Sequence, residues 1–418
     1  MGTEFAYDFS GFASNLFQSG PTGISRVDVE GARYFASTYP QETVGLHQLY
    51  RISTRFPAST LSNLVQRVED GWSDFPDSEQ RDAILAWLRD GSRPARSTKT
   101  VSGHSFAADA VRLLRGWPWH RFGCPVPDGC NYINVSYANA RPPGSLAWLR
   151  RRPGVRAFFM VHDLIPLNRP EWFWDGLEDV FRRQIELILG LASGIFTPSE
   201  VVASAVREHA ITLGLPDLPV RAVHLPTSSA FHQTLGDGEL PPFFVMCGTI
   251  EPRKNHMLIL DIWGEMARRG LDVPKLLLFG KRGWKNEAVF ERLEQDHALR
   301  PHVLEIADIS TPDLAFFVSR ARALLMPSFD EGFGLPVAEG LACGTPVVAS
   351  DIPVFREIAK GCATLCDPGR QQDWMSAIMW LSTQGEATEK ARLMARQFPH
   401  RTWSNFYDDV VAFVRHPL

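Results

Sequence analysis

The chain has 418 residues, of which 44% are hydrophobic and 22% charged, and its formal net charge is −4. This composition excludes a disordered chain and a collagen-like repeat. Because 47 acidic residues outnumber 43 basic ones, we expect no general attraction to nucleic acid. At roughly 150 residues per domain, the length predicts two or three domains.

No stretch of the sequence predicts a membrane span or a secretory signal. The longest uncharged apolar stretch, residues 187–196, has about half of the roughly twenty residues that a bilayer requires. The start, MGTEFAYDFSG, has no basic segment leading into an apolar run. Six cysteines without a CxxC pair predict reduced thiols. We therefore expect a cytoplasmic protein, either in free solution or at the inner face of the cell membrane.

The first half of the chain alternates predicted strands and helices. FAYDFSGF (5–12) is predicted as a strand and is followed by a helix over 24–37. Further predicted strands are YINVSY, RAFFMVHD and GIFTP, and further predicted helices are FRRQIELILGLA and VVASAVREHAI. Residues 60–125 are mostly helical in pattern but lack this alternation, so we expect them to be an insertion.

The second half shows the same alternation more regularly. Residues 226–242 are rich in Pro, Gly, Ser and Thr and contain the predicted interdomain linker, 229–242. From residue 243 to about 381, the apolar runs FFVMCG, KLLLFG, ALLMP and PVVAS alternate with helical patterns. Strands that alternate with helices predict a parallel sheet covered on both faces, which is a doubly wound α/β unit.

The loops that follow the predicted strands carry most of the charged and Gly-rich residues. In open parallel sheets, ligands bind beyond the carboxyl ends of the strands. In the second half those loops are TIEPRKN, GKRGWKN, ADIS, SFDEGFG and SDIPVF. We therefore look for the functional site in these loops.

Arg253 and Lys254 lie where a predicted helix begins, just after Pro252. Cations at a helix N-terminus oppose the macrodipole by about 0.3–1 kcal/mol each. A bound phosphate or diphosphate would gain from these cations and from the free backbone N–H groups. The next loop adds Lys281 and Arg282. We interpret these residues as an anion site; the alternative is a solvated loop with surface cations.

Glu331 and Glu339 flank the segment GFGLPVA. Gly332 and Gly334 allow a close approach of the backbone to a ligand, and Pro336 suits the first turn of a helix. The two carboxylates are predicted to hold different parts of one elongated ligand, such as the hydroxyls of a sugar and of a ribose. The alternative is a capping glutamate and a surface glutamate on an ordinary helix.

Two features of the first half lie in corresponding positions. Gly20 and Gly23 follow the first strand and open a helix, which suits a phosphate. His162 and Asp163 end the strand AFFMVHD, at another carboxyl edge. A histidine at the end of a strand is either a hydrogen-bonded structural residue or, if it faces the phosphate loops of a second domain, a functional one.

At this point the sequence resembles retaining glycosyltransferases of family 4. The resemblance rests on GTIEPRKN (248–255), the E-x7-E pair, HDLIPL (162–167), YDFSGF (7–12) and TGISRV (22–27). GTIEPRKN with HDLIPL is most similar to bacterial mannosyl- or rhamnosyltransferases of surface-polysaccharide assembly. The resemblance implies the GT-B fold, in which two Rossmann-like doubly wound parallel-sheet domains face a central cleft.

The resemblance also implies a domain division. The N-terminal domain, which binds the acceptor, is expected over 1–228, and the C-terminal domain, which binds the nucleotide-sugar, over 243–398. The segment 399–418 is expected to form a helix that crosses back to the N-terminal domain.

The resemblance further implies a role for each matching residue. Lys254 with Arg253 would hold the donor diphosphate, and Glu331 would contact sugar hydroxyls. His162 would lie near the transferred sugar, and Asp163 would contact the acceptor. The remaining donor-binding residues would be Gly23, Gly248, Thr249, Arg282, Gly332, Phe333, Gly334, Leu335 and, on the ribose, Glu339. Because Thr249 stands where many relatives carry an arginine, Arg253 or Arg282 is expected to replace that arginine.

The implied activity is transfer of mannose or rhamnose, with retention, from a GDP-, dTDP- or UDP-linked donor to a glycan or lipid-diphosphate-linked acceptor. No cofactor is expected, and no metal, since the chain contains no D-x-D. Developing charge on the leaving diphosphate would be stabilised by cations and backbone N–H groups. The alternatives are a GT-B nucleotide-sugar epimerase and a non-catalytic nucleotide-sugar-binding subunit.

The acceptor surface is less defined by the sequence. Residues 105–156 hold eight arginines against two acidic residues, with Trp117, Trp119 and Trp148 between them. Such a surface suits peripheral contact with an anionic membrane. The alternative is a solvated basic face with tryptophans in the core.

Overall fold

The computed structural model describes residues 2–11, 23–49, 52–73, 78–94, 126–136, 146–232, 240–383 and 385–417. Within these ranges the strands form two sheets, one of seven strands and one of six. The chain completes the first sheet before it begins the second. The predicted pair of parallel α/β units is thereby confirmed.

The first sheet has the order β3-β2-β1-β4-β5-β6-β7. Its strands are β1 Phe5–Asp8, β2 Thr43–Leu49, β3 Ile52–Pro57, β4 Asn131–Asn134, β5 Arg156–Met160, β6 Gly194–Thr197 and β7 Val220–Ala222. The pairings are parallel except that β2 and β3 form an antiparallel hairpin at one edge. The sequence analysis predicted β1, β4, β5 and β6, and it missed β2, β3 and β7.

Helices cover this sheet at the connections between its strands. They are α1 Gly23–Thr38, α2 Ala58–Ser73, α3 Ser78–Asp90, α4 Ala147–Arg150, α5 Ile165–Asn168, α6 Leu177–Leu189 and α7 Glu200–Thr212. The predicted helix over 24–37 is α1, and the other two predicted helices are α6 and α7. The helical insertion expected over 60–125 contains most of α2 and all of α3, while residues 95–125 lie outside the described ranges.

The second sheet has the order β10-β9-β8-β11-β12-β13 and is parallel throughout. Its strands are β8 Phe243–Cys247, β9 Lys275–Phe279, β10 Val303–Ile306, β11 Ala323–Met326, β12 Val347–Ser350 and β13 Thr364–Cys366. Every residue of β8, β11 and β12 is buried, as expected for strands covered on both faces. The strand order reverses between β8 and β11, which is where such sheets bind ligands.

Eight helices of the described C-terminal part accompany these strands. They are α8 His256–Arg268, α9 Glu287–Gln295, α10 Thr311–Arg320, α11 Leu335–Ala342, α12 Pro353–Ala359, α13 Gln371–Ser382, α14 Glu386–Ala395 and α15 Trp403–Arg415. In the described part of the chain, no helix is long and apolar enough to cross a membrane.

The last helix, α15, lies against the N-terminal sheet. The Tyr407 hydroxyl donates a hydrogen bond to the Val27 carbonyl oxygen in α1. The ring of Phe413 lies 6.0 Å from that of Phe158 in β5, and the Arg415 guanidinium pairs with Glu4 at 2.9 Å. The buried face of α15 therefore continues the core of the first sheet, although it follows the second sheet in the chain.

The segment between the two sheets is only partly described. Ser229–His232 forms one 3-10 turn, and its Phe231 is fully buried, while residues 233–239 lie outside the described ranges. The boundaries 1–228, 229–242, 243–398 and 399–418 remain predictions.

Candidate functional site

The switch point of the second sheet brings together two loops that the sequence analysis singled out. The loop after β8 contains the 3-10 turn Pro252–Lys254, and the loop after β11 leads through Glu331 to helix α11. The Phe329 N–H donates a hydrogen bond of 2.8 Å to the Arg253 carbonyl oxygen. Backbone contact thus places the basic residues of one loop beside the acidic residues of the other.

Four side chains of these loops form one buried network, the charged cluster, which consists of Glu251, Arg253, Lys254 and Glu331. The Lys254 ammonium donates to Glu331 Oε1, and Arg253 Nη1 pairs with Glu331 Oε2 at 2.5 Å. Arg253 Nε pairs with Glu251 at 2.7 Å. Both oxygens of Glu331 are thereby engaged by cations, and each member of the cluster has an oppositely charged partner.

The two cations keep Glu331 ionised despite its burial. Burial opposes ionisation of Glu331, but Arg253 and Lys254 outweigh it and lower the pKa of this carboxyl to about 2. Burial lowers the pKa of Lys254, and the Glu331 carboxylate opposes that shift. Removal of one partner from a buried ion pair costs about 3–5 kcal/mol. Loss of one member would therefore leave a buried charge of the cluster without its partner.

Two glycines make room for this arrangement. Gly248 follows β8 with a φ of 129°, and a Cβ added there would lie 3.4 Å from Lys254 Cε. A Cβ on Gly280, which follows β9, would lie 1.9 Å from the Gly248 carbonyl oxygen. Larger residues at these positions would displace the loop that carries Arg253 and Lys254.

The helix that was predicted to begin at Arg253 and Lys254 begins later. Both cations belong to the separate turn Pro252–Lys254, and α8 begins at His256 after Asn255, whose φ is 57°. The left-handed residue Asn255 separates the turn from the helix, so the two cations lie just before α8 and not in its first turn. The cations therefore lie at the start of this helical region, in its 3-10 turn.

The N-terminal domain faces the charged cluster with the residues that follow β5. A Cβ added to Gly332 would lie 2.2 Å from the His162 carbonyl oxygen and 3.0 Å from Asp163 Cβ. Ser199, which precedes α7, donates a hydrogen bond of 2.8 Å to the Gly332 carbonyl oxygen. The loop that carries Glu331 therefore touches the first domain, and a residue with a side chain would not fit at position 332.

His162 is a neutral hydrogen-bonded histidine in this structure. Its Nε2 lies 2.7 Å from the Val135 carbonyl oxygen, so this nitrogen carries the proton. Burial lowers the pKa of His162 to about 4. Burial raises the pKa of the neighbouring Asp163, while Arg253 opposes that shift. His162 is therefore an imidazole, not an imidazolium, at neutral pH.

Glu339 lies in the first turns of α11 and is buried. Arg26 of helix α1 donates a hydrogen bond of 2.8 Å to Glu339 Oε1 across the two domains. Gly23, the first residue of α1, is close to Leu335, since its added Cβ would lie 3.2 Å from the Leu335 side chain. The N-termini of α1 and α11 thus face each other.

The Gly-rich segment before α11 adopts a conformation that requires glycine. Gly334 has a φ of 91°, and a Cβ there would lie 2.4 Å from the Phe355 ring. Phe333 is 6% exposed, and its ring centroid lies 6.2 Å from that of His224. The segment from Gly332 to Leu335 thus lies between the two domains, beside the charged cluster.

Arg282 is not brought together with the other predicted residues. Its guanidinium pairs with Glu305 at 2.7 Å and with Glu294 at 2.5 Å. Thr249 is in contact with the same loop, since a Cβ on Gly283 would lie 2.8 Å from Thr249 Cγ2. Of the two arginines expected to replace the missing one, only Arg253 belongs to the charged cluster.

The tryptophans of residues 105–156 are described in part. Trp148 is partly buried and donates a hydrogen bond of 3.1 Å to Gln48 Oε1, and its ring contacts Tyr132 edge-on. Trp117 and Trp119 lie outside the described ranges, as do the arginines at 112, 115, 121 and 141. The predicted basic surface remains a prediction.

Three residues of the site were missed by the sequence analysis. Glu251 lies within the motif GTIEPRKN and Arg26 within TGISRV, so both were in view without an assigned role. Ser199 begins a helix as its N-cap, accepting from the Val202 N–H, and nothing in the sequence marks its second bond to Gly332. Across the described residues, no group of three or more His, Cys, Asp or Glu side chains is placed to hold a metal ion.

Comparison with known families and curated proteins finds similarity for part of the chain. Residues 228–398 match the family model described as Glycosyl transferases group 1. The serotype-specific mannosyltransferase WbdA of Escherichia coli is 34% identical over 231 residues, which are 50% of this chain and 28% of that protein. The O-antigen chain mannosyltransferase RfbU of Salmonella typhimurium is 26% identical over 52% of this chain and 58% of its own length. The chain thus spans between about a quarter and three fifths of the length of these two relatives.

A solved structure is similar over the whole chain. The crystal structure of Anabaena Alr3699/HepE in complex with UDP and glucose superposes with a TM-score of 0.58 and 14% sequence identity. The match covers 99% of this chain and 100% of that one. At this identity the likeness concerns the fold alone, and together with the two parallel sheets it confirms the expected GT-B fold.

Proposed function

We propose that this chain, whose residues 228–398 are a glycosyl transferases group 1 domain, is a retaining glycosyltransferase. It moves mannose or rhamnose from a nucleoside-diphosphate donor to a glycan or lipid-linked oligosaccharide in surface-polysaccharide biosynthesis. The observation that carries this proposal is the charged cluster at the carboxyl ends of β8 and β11, which faces His162 of the other domain. The similarity to mannosyltransferases of E. coli and Salmonella supports the choice of sugar.

In this proposal the donor binds between the charged cluster and helix α11. Lys254 and Arg253 hold the diphosphate, and Glu339 holds the ribose hydroxyls. Glu331 orients the two cations and accepts hydrogen bonds from sugar hydroxyls, since a carboxylate has about four lone-pair sites. The fixed ion pairs support this assignment because cations that are already oriented need no reorganisation when charge develops on the leaving group.

The proposed transfer step uses the same residues. The bond between the anomeric carbon and the phosphate oxygen breaks, and the acceptor oxygen forms a new bond to that carbon on the same face. The proton of the acceptor hydroxyl passes to the departing phosphate oxygen, while Lys254 and Arg253 stabilise the negative charge of the diphosphate. His162, neutral at pH 7, takes part through hydrogen bonding near the sugar, and Asp163 contacts the acceptor.

We propose that the enzyme needs no metal, since Arg253 and Lys254 would supply two positive charges to the diphosphate. A lipid-diphosphate acceptor would bring the protein to the inner face of the cell membrane, where the basic stretch 105–156 would meet anionic lipid. Liposome sedimentation with anionic lipid tests this part; pelleting that disappears at high salt supports membrane contact, and no pelleting contradicts it.

A transfer assay tests the proposed function. Purified protein is incubated with GDP-mannose, dTDP-rhamnose or UDP-glucose and a manno-oligosaccharide acceptor, with and without a chelator. We expect release of one nucleoside diphosphate, undiminished by the chelator, and a product whose new linkage has the anomeric configuration of the donor by NMR. Epimerised donor would indicate the epimerase, and binding without any turnover would indicate a non-catalytic subunit.

A further inference from the structure

Arg26 is the N-terminal-domain cation that reaches Glu339 in helix α11. Its Nη1 donates to Glu339 Oε1 at 2.8 Å, and its Nη2 donates to Thr311 Oγ1 at 3.3 Å. The Arg26 side chain is 13% exposed and that of Glu339 is 8% exposed. A guanidinium from α1 is therefore largely buried among side chains of the other domain.

We propose that Arg26 is a positioning residue of the donor pocket, which keeps the Glu339 carboxylate ionised and oriented for the ribose of the donor. This inference rests on the proposed function, in which Glu339 holds the ribose. It adds a residue of the N-terminal domain to a pocket whose other assigned donor contacts, apart from Gly23 and His162, come from the C-terminal domain. Donor affinity then depends on the apposition of the two domains.

The surroundings of Glu339 explain why it needs this partner. Burial raises the pKa of Glu339, and Arg26 is the group that lowers it. Among the described residues, the other titratable groups that interact with Glu339 are two thiols, Cys247 at the end of β8 and Cys343 after α11. Burial raises the pKa of Cys343 to about 12 and that of Cys247 as well, so both are neutral near pH 7. Within the part of the chain that the structure describes, Arg26 is thus the cation that favours the charged form of Glu339.

The loss of Arg26 has a distinct pH signature. Without the guanidinium, the pKa of Glu339 rises further, so the carboxyl is protonated over more of the range below neutral pH. The donor site then weakens as the pH falls and recovers as the pH rises. A contact that merely held the two domains together would not give this pH dependence.

Calorimetric titration with GDP, UDP and dTDP tests the inference, with Arg26→Ala, Arg26→Lys and the unaltered protein compared between about pH 6 and pH 8. For the nucleotide that the unaltered protein binds, we expect Arg26→Ala to weaken binding most at the acidic end of this range, by about tenfold, which is the usual effect of losing a hydrogen bond to a charged group. The deficit shrinks toward pH 8. Arg26→Lys retains most of the affinity because it keeps a cation.

Arg81→Ala is the matched control. Arg81 of α3 forms another ion pair between the domains, with Asp313 of α10 at 3.4 Å, and it does not touch Glu339. We expect Arg81→Ala to retain the nucleotide affinity and its pH profile.

A double variant gives a second test. In a Glu339→Gln background, the further change Arg26→Ala should cause no additional loss of nucleotide affinity, since the two residues act as one unit.

The outcomes separate this inference from the proposed function. The role of Arg26 would be overturned if Arg26→Ala lost the same nucleotide affinity at every pH. It would also be overturned if Arg26→Ala and Arg81→Ala behaved alike. In both cases the proposed function would stand. If the unaltered protein binds none of the three nucleotides, both the proposed function and the role of Arg26 fail.

Discussion

Ser199 of the N-terminal domain donates a hydrogen bond of 2.8 Å to the carbonyl oxygen of Gly332 in the C-terminal domain. Gly332 directly follows Glu331, so the loop that carries the Glu331 carboxylate is held from both sides. On one side the cations of the charged cluster fix the Glu331 side chain, and on the other Ser199 fixes the backbone. The geometry of the site thus depends on contacts between the domains.

The first prediction concerns Ser199→Ala. A neutral hydrogen bond contributes about 0.5–1.5 kcal/mol, so we expect kcat for sugar transfer to fall about three- to tenfold as the Glu331 loop loosens. Steady-state kinetics with the preferred donor measures this. Ser199 is also the N-cap of α7, and Thr402→Ala, which removes the N-cap of α15, is the control. An equal loss of kcat in both variants would assign the effect to capping alone.

Lys254 gives the second prediction. We expect Lys254→Ala to lower kcat by about 10²–10³, the usual effect of removing one group that stabilises transition-state charge. It should also lower the free energy of unfolding, by about 3–5 kcal/mol, because Glu331 is left buried with one cation fewer. Kinetics and urea unfolding measure the two effects separately.

A double variant separates catalysis from stability at this position. Lys254→Met with Glu331→Gln removes both charges of the pair, so the free energy of unfolding should recover relative to Lys254→Ala while turnover stays low. Restored turnover in the double variant would contradict a direct role of Lys254 on the donor.

The third prediction compares two arginines. Arg253 belongs to the charged cluster, whereas Arg282 pairs with Glu294 and Glu305. We expect Arg253→Ala to weaken donor binding and lower kcat by about 10²-fold or more, and Arg282→Ala to change either value less than about twofold. Nucleotide affinity by calorimetry together with kcat measures the difference. A larger loss of affinity or kcat in Arg282→Ala than in Arg253→Ala would contradict this assignment and would indicate that the diphosphate binds at the loop after β9.

The fourth prediction is a pH dependence of stability that follows from His162. Burial lowers the pKa of His162 to about 4, against about 6.5 in the unfolded chain. Between these values the unfolded state binds the proton and the folded state does not, so the free energy of unfolding falls as the pH falls from 6.5 to 4. Glu331, with a pKa of about 2, loses its contribution only at lower pH.

His162→Gln should remove this dependence. Between pH 7 and pH 5 the buried neutral histidine accounts for about 2 kcal/mol, so the difference in the free energy of unfolding between these two conditions should shrink by about that amount. Urea unfolding at the two pH values measures it. His297→Gln, at an exposed position, is the control. An equal change of the pH dependence in the control would show that His162 is not its cause.

Periodic apolar patterns made most of the fold predictable. Strands such as β8 and β11 are continuous apolar runs bounded by Gly or Pro, so their type was readable. The missed strands had weaker signals: β2 contains His47 and Gln48, and β7 has three residues with none fully buried. The antiparallel pairing of β2 with β3 depends on contacts between strands, which a single sequence does not display.

Site residues that lie close together in the sequence were predictable, whereas contacts between residues far apart in the sequence were not. Arg253 and Lys254 lie in one motif with Glu251, and Glu331 follows a strand end, so their loops could be chosen from strand order. The pairing of Arg26 with Glu339 spans 313 residues of sequence, and that of Ser199 with Gly332 spans 133. These contacts arise only when the two domains are apposed, and residue types alone do not encode them.

The most direct test of the account is a crystal structure of the protein with the nucleoside diphosphate that it binds. We expect the diphosphate to lie within hydrogen-bond distance of Lys254 Nζ and the Arg253 guanidinium, with the ribose hydroxyls on Glu339. A nucleotide held elsewhere, with Lys254 and Arg253 still bound only to protein carboxylates and carbonyls, would contradict it.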